Sequence, residues 1–141
     1  MPRVTMPADQ SSAHDVFQSL IPIAAAVAFV LTTTVLTVGA RPVRHGWLIP
    51  AAASAAFLAF SVHAIWTAGL GGVWQEHTGS AWGNQIWIDL LLAVTIGWYL
   101  MLPRARAAGM RPAAWLPLVV LSGCVGFLAM LARLSYLEQH D

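Results

Sequence analysis

Three ionisable side chains lie inside stretches of sequence that are otherwise apolar: His63, Asp89 and Arg133. Gln85 precedes Asp89 by four residues, so the two side chains would share one face of a helix. A carboxylate near the centre of a membrane-spanning helix costs about 2.5–3.5 kcal/mol. An acid, an imidazole and a guanidinium brought together could bind a ligand or transfer a proton, or could pair with one another.

The composition determines the surroundings in which these groups must function. The chain has 141 residues, of which 58% are hydrophobic and 9% charged, and its mean hydropathy is +0.68. Soluble domains carry about 25% charged residues, and a chain of this size has too little interior to bury the difference. The sequence therefore predicts an integral membrane protein that contacts the lipid bilayer. Its net charge of +1 provides no field for nucleic acid, so no nucleic-acid partner is expected.

Four apolar runs, separated by short polar segments, cover most of the chain; they are residues 16–40, 47–70, 85–102 and 113–137. Each approaches or exceeds the roughly 20 residues that a helix needs to cross a bilayer, and none alternates like a barrel strand. The pattern predicts an all-α fold, a four-transmembrane-helix up-down bundle over residues 16–137. Residues 1–15 are predicted to form a flexible N-terminal tail, and residues 138–141 a C-terminal tail.

The arginines predict an orientation, because positive residues concentrate in cytoplasmic loops. Arg3 and Arg133 would lie on one side of a four-span bundle. The other side would hold both short turns, with Arg41, Arg44, Arg104, Arg106 and Arg111. Both turns are therefore expected in the cytoplasm and both termini on the non-cytoplasmic side.

The first run has an alternative interpretation as a cleaved signal peptide, since Val38-Gly39-Ala40 resembles a cleavage site. The run is longer than the roughly 7–15 apolar residues of a signal core, however. Cleavage would also remove a span on which the arginine pattern depends. The first run is therefore expected to be a span.

In such a bundle, His63, Asp89 and Arg133 would lie about 10, 6 and 6 Å below the outer surface. Small residues share a face with His63 and with Arg133 and should pack against other helices; they are Ala52, Ala55, Ala56 and Ala59 in the second run, and Ser122, Gly126 and Ala129 in the fourth. We expect an outer-leaflet polar cluster of His63, Gln85, Asp89 and Arg133. It would be a ligand-binding or proton-handling site, with Asp89 and His63 as candidate acid–base groups. The simpler alternative is a clamp between helices, in which Arg133 neutralises Asp89.

Other kinds of site have little support. His63 is the one histidine inside an apolar run, so a haem held by two histidines is not expected, and no cofactor is predicted. The single cysteine, Cys124, excludes a cysteine-based zinc site. Glu76 and His77 could join His63 and Asp89 around a metal, but loop residues of this kind are mostly solvated, and no metal site is predicted. Nucleophile–base pairs and phosphate loops are not evident either, so no catalytic residue is assigned.

The segment from about Trp47 to Arg133 resembles a group of small bacterial integral-membrane proteins of unknown function. The likeness lies in the motif Trp87-Ile88-Asp89-Leu90-Leu91, the arginine turn 103–112 that closes with Gly109 and Pro112, and the final Leu131-Ala132-Arg133. More distantly, the segment is similar to plant membrane proteins required for neoxanthin synthesis. The resemblance implies a membrane fold in a bacterial inner membrane and assigns no chemistry.

Two functions are compatible with these observations. The chain could be a non-catalytic accessory, assembly or regulatory partner of another membrane protein, with small-residue faces for helix contacts. Alternatively, it could be a membrane enzyme or a binding protein for an apolar, isoprenoid- or carotenoid-like molecule that uses Asp89 and His63. The first is favoured, because the sequence shows no catalytic set.

Overall fold

The computed structural model describes residues 8–39 and 44–140, with the side chains of residues 20–39 and 44–140. The described residues form six α-helices and no strand, which confirms the all-α class; the helices are α1 Ala8–Val38, α2 Leu48–Ala68, α3 Leu70–Thr78, α4 Ala81–Ala107, α5 Pro112–Ser122 and α6 Cys124–His140. The chain divides into two compact units, Met1–Pro42 and Val43–Asp141.

Three of the described helices are long and apolar enough to cross a membrane: Leu20–Val38 within α1, Leu48–Ala68 and Ala81–Ala107. Both predicted tails need correction. Residues 8–15 continue α1 as helix, and residues 138–140 belong to α6. The remainder of the two tails, residues 1–7 and 141, lies outside the described residues.

The first unit contributes α1. Its side chains from Leu20 to Val38 are mostly exposed. Thr33 and Thr37 donate their hydroxyl hydrogens to the carbonyl oxygens of Phe29 and Thr33, at 2.8 and 2.7 Å. These bonds satisfy the hydroxyls within the helix itself.

The loop predicted over residues 71–84 is largely helical. It contains α3, and α4 begins at Ala81, four residues before the predicted span. The hydroxyl oxygen of Ser80 caps α4 by accepting a hydrogen bond from the Gly83 amide at 2.9 Å. Gly83 also lies against the backbone carbonyl of Glu76, and a Cβ atom there would collide with it. Glycine at this position therefore lets α3 pack closely on α4.

The sequence predicts a single helix over the fourth apolar run. The structure has two helices there instead, and they meet at Gly123. Gly123 has φ +56° and ψ −122°, a backbone conformation that residues with a side chain avoid. Ser122 holds the junction: its hydroxyl donates to the Leu118 carbonyl at 2.7 Å and accepts from the Gly126 amide at 3.0 Å. A Cβ on the buried Gly126 would lie 2.8 Å from the Leu118 carbonyl, so the bend is tight.

Because of this bend, α6 runs parallel to α4. Phe127 fits against Gly97 near the start of the contact. Further along both helices, Arg104 of α4 binds Glu138 of α6 through two hydrogen bonds of 2.9 and 2.6 Å. The helices α5 and α6 are therefore a hairpin, and α4 and α6 end on the same side. The four-span expectation instead places the end of α6 opposite the turn that follows α4.

The direction of α2 is opposite to that of α6. Near its start, Trp47 packs edge-on against Tyr136, with ring centroids 5.5 Å apart. About two helical turns later, the buried Ser54 hydroxyl donates to the Val125 carbonyl at 2.9 Å. The tip of the hairpin therefore lies at the level of the middle of α2.

The core of the second unit lies at the end where α4 and α6 terminate. Its buried members are Met101, Ala105, Met130 and Leu134, surrounded by the partly buried Trp98, Ala108, Met110, Trp115, Phe127 and Leu131. The distal halves of α2 and α4, beyond the hairpin tip, contribute no buried residue among those described. Most of the surface of the two long helices is therefore left open.

Candidate functional site

The structure places the four predicted polar residues on three helices of the second unit. His63 lies in the last two turns of α2, Gln85 and Asp89 in the first turns of α4, and Arg133 in α6. All four side chains are exposed. Among the described residues, no hydrogen bond or ion pair joins any two of these side chains.

The parallel direction of α4 and α6 separates Arg133 from Asp89. Asp89 lies eight residues before Gly97, and Arg133 lies six residues after Phe127, which faces Gly97. At about 1.5 Å per residue, the two groups are roughly 21 Å apart along the helix axes. The bend at Gly123, which makes α6 parallel to α4, therefore keeps them apart: Asp89 lies before the contact between the two helices and Arg133 lies within it. Any functional role of the two residues stays a prediction.

Arg133 and the neighbouring Arg104 have partners other than Asp89. The Arg133 guanidinium lies 5.7 Å from the centroid of the Tyr136 ring, within the range of a cation–π contact. Among the described residues, one ion pair is formed, between Arg104 and Glu138. All five described arginines, Arg44, Arg104, Arg106, Arg111 and Arg133, lie towards the end of the unit where α2 begins and α4 and α6 finish.

Gln85 and Asp89 do share a face of α4, as their spacing predicts. Together they line a shallow, open groove, and every residue lining this groove belongs to α4: Ala81, Asn84, Gln85, Ile88, Asp89 and Leu92. We call these six residues the Asp89 face. Three polar side chains are thus presented by a helix that is apolar enough to span a membrane.

His63 lies apart from the Asp89 face. Of the described helices, α2 and α4 do not contact each other, whereas α6 contacts both. The alanine face below His63, expected to be buried, is exposed at Ala52, Ala55, Ala56 and Ala59. The reason is that α6 packs against the side of α2 that carries Ser54. On the other small-residue face, Gly126 is buried as predicted, and Ser122 and Ala129 are half-buried.

A second cavity, of about 320 Å³, lies between α4 and α5; it is lined by Trp87, Leu90, Leu91, Val94, Thr95, Trp98, Leu116, Val119, Val120 and Gly123. The one hydroxyl in this lining, Thr95, donates to the Leu91 carbonyl at 2.8 Å, so its hydrogen is already used. The cavity is suited to an apolar chain rather than to a polar ligand. Sequence reasoning missed it, because α5 was not expected to stop at half the length of a span.

The region around Glu76 and His77 does not resemble a metal centre. The His77 ring packs edge-on against Trp87 at 4.8 Å, and its Nδ1 lies 2.6 Å from the Val73 carbonyl oxygen. Among the described residues, no group of three or more histidine, cysteine, aspartate or glutamate side chains could hold a metal ion.

Comparison with known proteins identifies no relative of this chain. No family model matches the chain, and no curated protein or solved structure shows significant similarity to it.

Proposed function

We propose that this chain is a small multi-pass protein of a bacterial inner (plasma) membrane that serves another membrane protein as a non-catalytic accessory, assembly or regulatory partner. The supporting observation is the uncovered surface of its long helices. Within α2, all of which is described, only Ser54 is buried. A membrane helix that the other described helices of its own unit leave open is available to a helix of another protein.

The alanine face of α2 is suited to such a contact. Ala52, Ala55, Ala56 and Ala59 follow one another at the spacing of a single helix face and are all exposed. Helices in membranes associate by close packing, and small side chains allow their backbones to approach. The polar residue at the end of this face, His63, could bond across such an interface.

The proposed arrangement has α1, α2 and α4 as spans and the α5–α6 hairpin entering from the cytoplasmic side. With 11 residues, α5 is about 16 Å long, half of the ~30 Å hydrocarbon layer. The shared location of the five described arginines supports a cytoplasmic position for that end. The alternative, a four-span bundle with the C-terminus outside, requires a straight helix through Gly123. A non-cytoplasmic N-terminus stays a prediction.

Site-specific photo-crosslinking in intact membranes tests the partner role. A photoreactive amino acid at Ala56 or Ala59 should give one discrete adduct with a second protein. The same group at Leu58, which is exposed but lies on a different face of α2, is the matched control. A variant with Ala55→Leu should lose the adduct while keeping its folded yield. Adducts that are equal at all three positions, or formed with lipid alone, would refute the proposal.

One observation favours the second candidate, a binding protein or enzyme for an apolar, isoprenoid- or carotenoid-like molecule. The cavity between α4 and α5 is apolar and, at about 320 Å³, lies at the lower end of the range for ligand pockets. Extraction of the purified protein with organic solvent should then yield a stoichiometric apolar compound. Val120→Trp, which fills the cavity, should abolish its retention; Val62→Trp on α2, away from the cavity lining, should not.

Kinship with the small bacterial membrane proteins of unknown function, and more distantly with the plant neoxanthin-synthesis proteins, stays a proposal. It carries no chemistry into either candidate function.

A further inference from the structure

We infer that the Asp89 face of α4 binds the same face of a second copy of this chain, so that the protein forms a parallel dimer with two-fold symmetry. This inference is independent of the proposed function, which concerns α2. It follows from which polar groups lack partners, how they are spaced, and the direction that a shared membrane imposes on two copies.

The Asp89 face has hydrogen-bonding capacity that the described chain does not use. Neither Gln85 nor Asp89 makes a side-chain hydrogen bond among the described residues. The Asn84 amide nitrogen uses one of its two hydrogens on the Ser80 carbonyl, at 3.2 Å, and the other is free. Unpaired polar groups are costly in a spanning helix, and a carboxylate most of all. A partner helix that supplies donors would remove this cost.

Four residues of the same face, three of them apolar, follow the spacing of a helix–helix seam. Ala81, Gln85, Ile88 and Leu92 recur at intervals of four, three and four residues, which is a 3.5-residue period. The spacing continues at Thr95 and Tyr99, and all six side chains are exposed. A stripe of this period predicts left-handed packing at about 20° against a similar helix.

A second copy supplies the complementary groups. Two copies inserted the same way in one bilayer hold their α4 helices parallel. Gln85 is then a core position that meets Gln85 of the second copy, and amide groups can bond each other there. Asn84 and Asp89 flank the seam on its two sides, five residues apart. In a parallel pair, flanking residues with this separation face each other across the interface.

Each Asn84 amide can therefore donate its free hydrogen to the Asp89 carboxylate of the second copy, and two-fold symmetry makes this contact twice. The two carboxylates lie on opposite sides of the seam, so they do not oppose each other. Unlike a generic apolar face, this face is complementary to itself in the one relative direction that the membrane permits.

Disulfide trapping in native membranes tests the interface. In a Cys124→Ala background, Ile88→Cys lies on the seam and Ile86→Cys on roughly the opposite side of α4. The native residues are both isoleucine and are exposed to 56% and 60%, so the two variants are closely matched. Mild oxidation should convert Ile88→Cys to a covalent dimer, since facing seam positions suit disulfide geometry, and leave Ile86→Cys monomeric. Equal yields, or monomers in both, would overturn the inference.

A double-mutant cycle tests the proposed hydrogen bond itself. Dimer Kd would be measured by energy transfer between labelled copies during dilution with lipid. Asn84→Leu or Asp89→Leu should each raise Kd about 3- to 20-fold per lost bond, the range measured for hydrogen bonds between membrane helices. The dimer Kd of the double variant should be no higher than that of the single variant with the higher Kd. Strictly additive effects would contradict the Asn84–Asp89 contact, and unchanged Kd values would refute the interface.

Discussion

Among individual residues, Ser54 shows how one polar side chain joins two helices. Among the described residues, it is the one polar residue that is buried. Its hydroxyl donates a hydrogen bond to the Val125 carbonyl, just after the bend at Gly123. The contact sets the level at which α6 meets α2. Ser61 on the same helix instead bonds the Phe57 carbonyl of its own preceding turn, at 2.8 Å. The same residue type thus has a tertiary role at one position and a local role at the other.

Ser54→Ala should therefore destabilise the folded protein by about 0.5–1.5 kcal/mol, because it removes the hydrogen bond that joins α2 to the Val125 carbonyl of α6. Ser61→Ala should change stability by less than about 0.5 kcal/mol, since only a bond within α2 is lost. Unfolding by a denaturing detergent, followed by circular dichroism, measures both. Equal losses in the two variants would contradict the tertiary role of Ser54.

At this scale, the sequence predicts which residues are unusual but not which of them meet. It identifies Asp89 and Gln85 as one helix face, and the structure agrees. It also predicts the burial of Gly126. The sequence also predicts that His63, Asp89 and Arg133 lie close together, and the structure does not bring them together. That prediction depends on helix directions, which composition does not determine.

At the scale of secondary-structure elements, the break at Gly123 determines the arrangement of the second unit. An apolar run of 25 residues is typical of a span, so residues 113–137 read as one helix. The signals for a break were present but weak: Pro117 lies inside the run, and the pair Ser122-Gly123 follows it. Glycine in a membrane helix is common, so its presence alone does not predict a positive φ.

Gly123→Ala should destabilise the hairpin by about 1–3 kcal/mol, because alanine strongly disfavours this backbone conformation. The variant should unfold at lower detergent concentration and lose protection of the α5–α6 amides from hydrogen exchange. Gly71→Ala is the control, since a Cβ there meets nothing within 4 Å and Gly71 is helical. Its stability should be unchanged or slightly higher. A Gly123→Ala variant as stable as the native protein would show that the bend does not need glycine.

At the scale of the whole molecule, helix direction determines on which side of the membrane the chain ends. The sequence predicts a helical membrane protein, and three described helices have the length and composition to span. It places the C-terminus outside, because it counts the fourth run as a span. The structure of the second unit instead pairs Arg104 with Glu138, at the end that carries the basic turn.

Reporter fusions measure this difference directly. Green fluorescent protein joined after the last residue should fluoresce, since it folds in the cytoplasm, and alkaline phosphatase at the same place should be inactive. Alkaline phosphatase inserted after Gly79, between α3 and α4, should be active and serves as the control. The reverse pattern at the C-terminus would support a fourth span and contradict the hairpin in the membrane.

The hairpin also gives the second unit an uneven cross-section. On one side of its tip, four helices lie side by side, namely α2, α4, α5 and α6; on the other side, α2 and α4 continue with the short α3 packed on α4. With the hairpin in the cytoplasmic half of the membrane, as proposed, the unit would displace more lipid from that monolayer than from the outer one, as a wedge does. We expect it to be enriched where the membrane bends towards the thinner, outer side of that wedge, as along the constricting division site, and not at the poles of a cell.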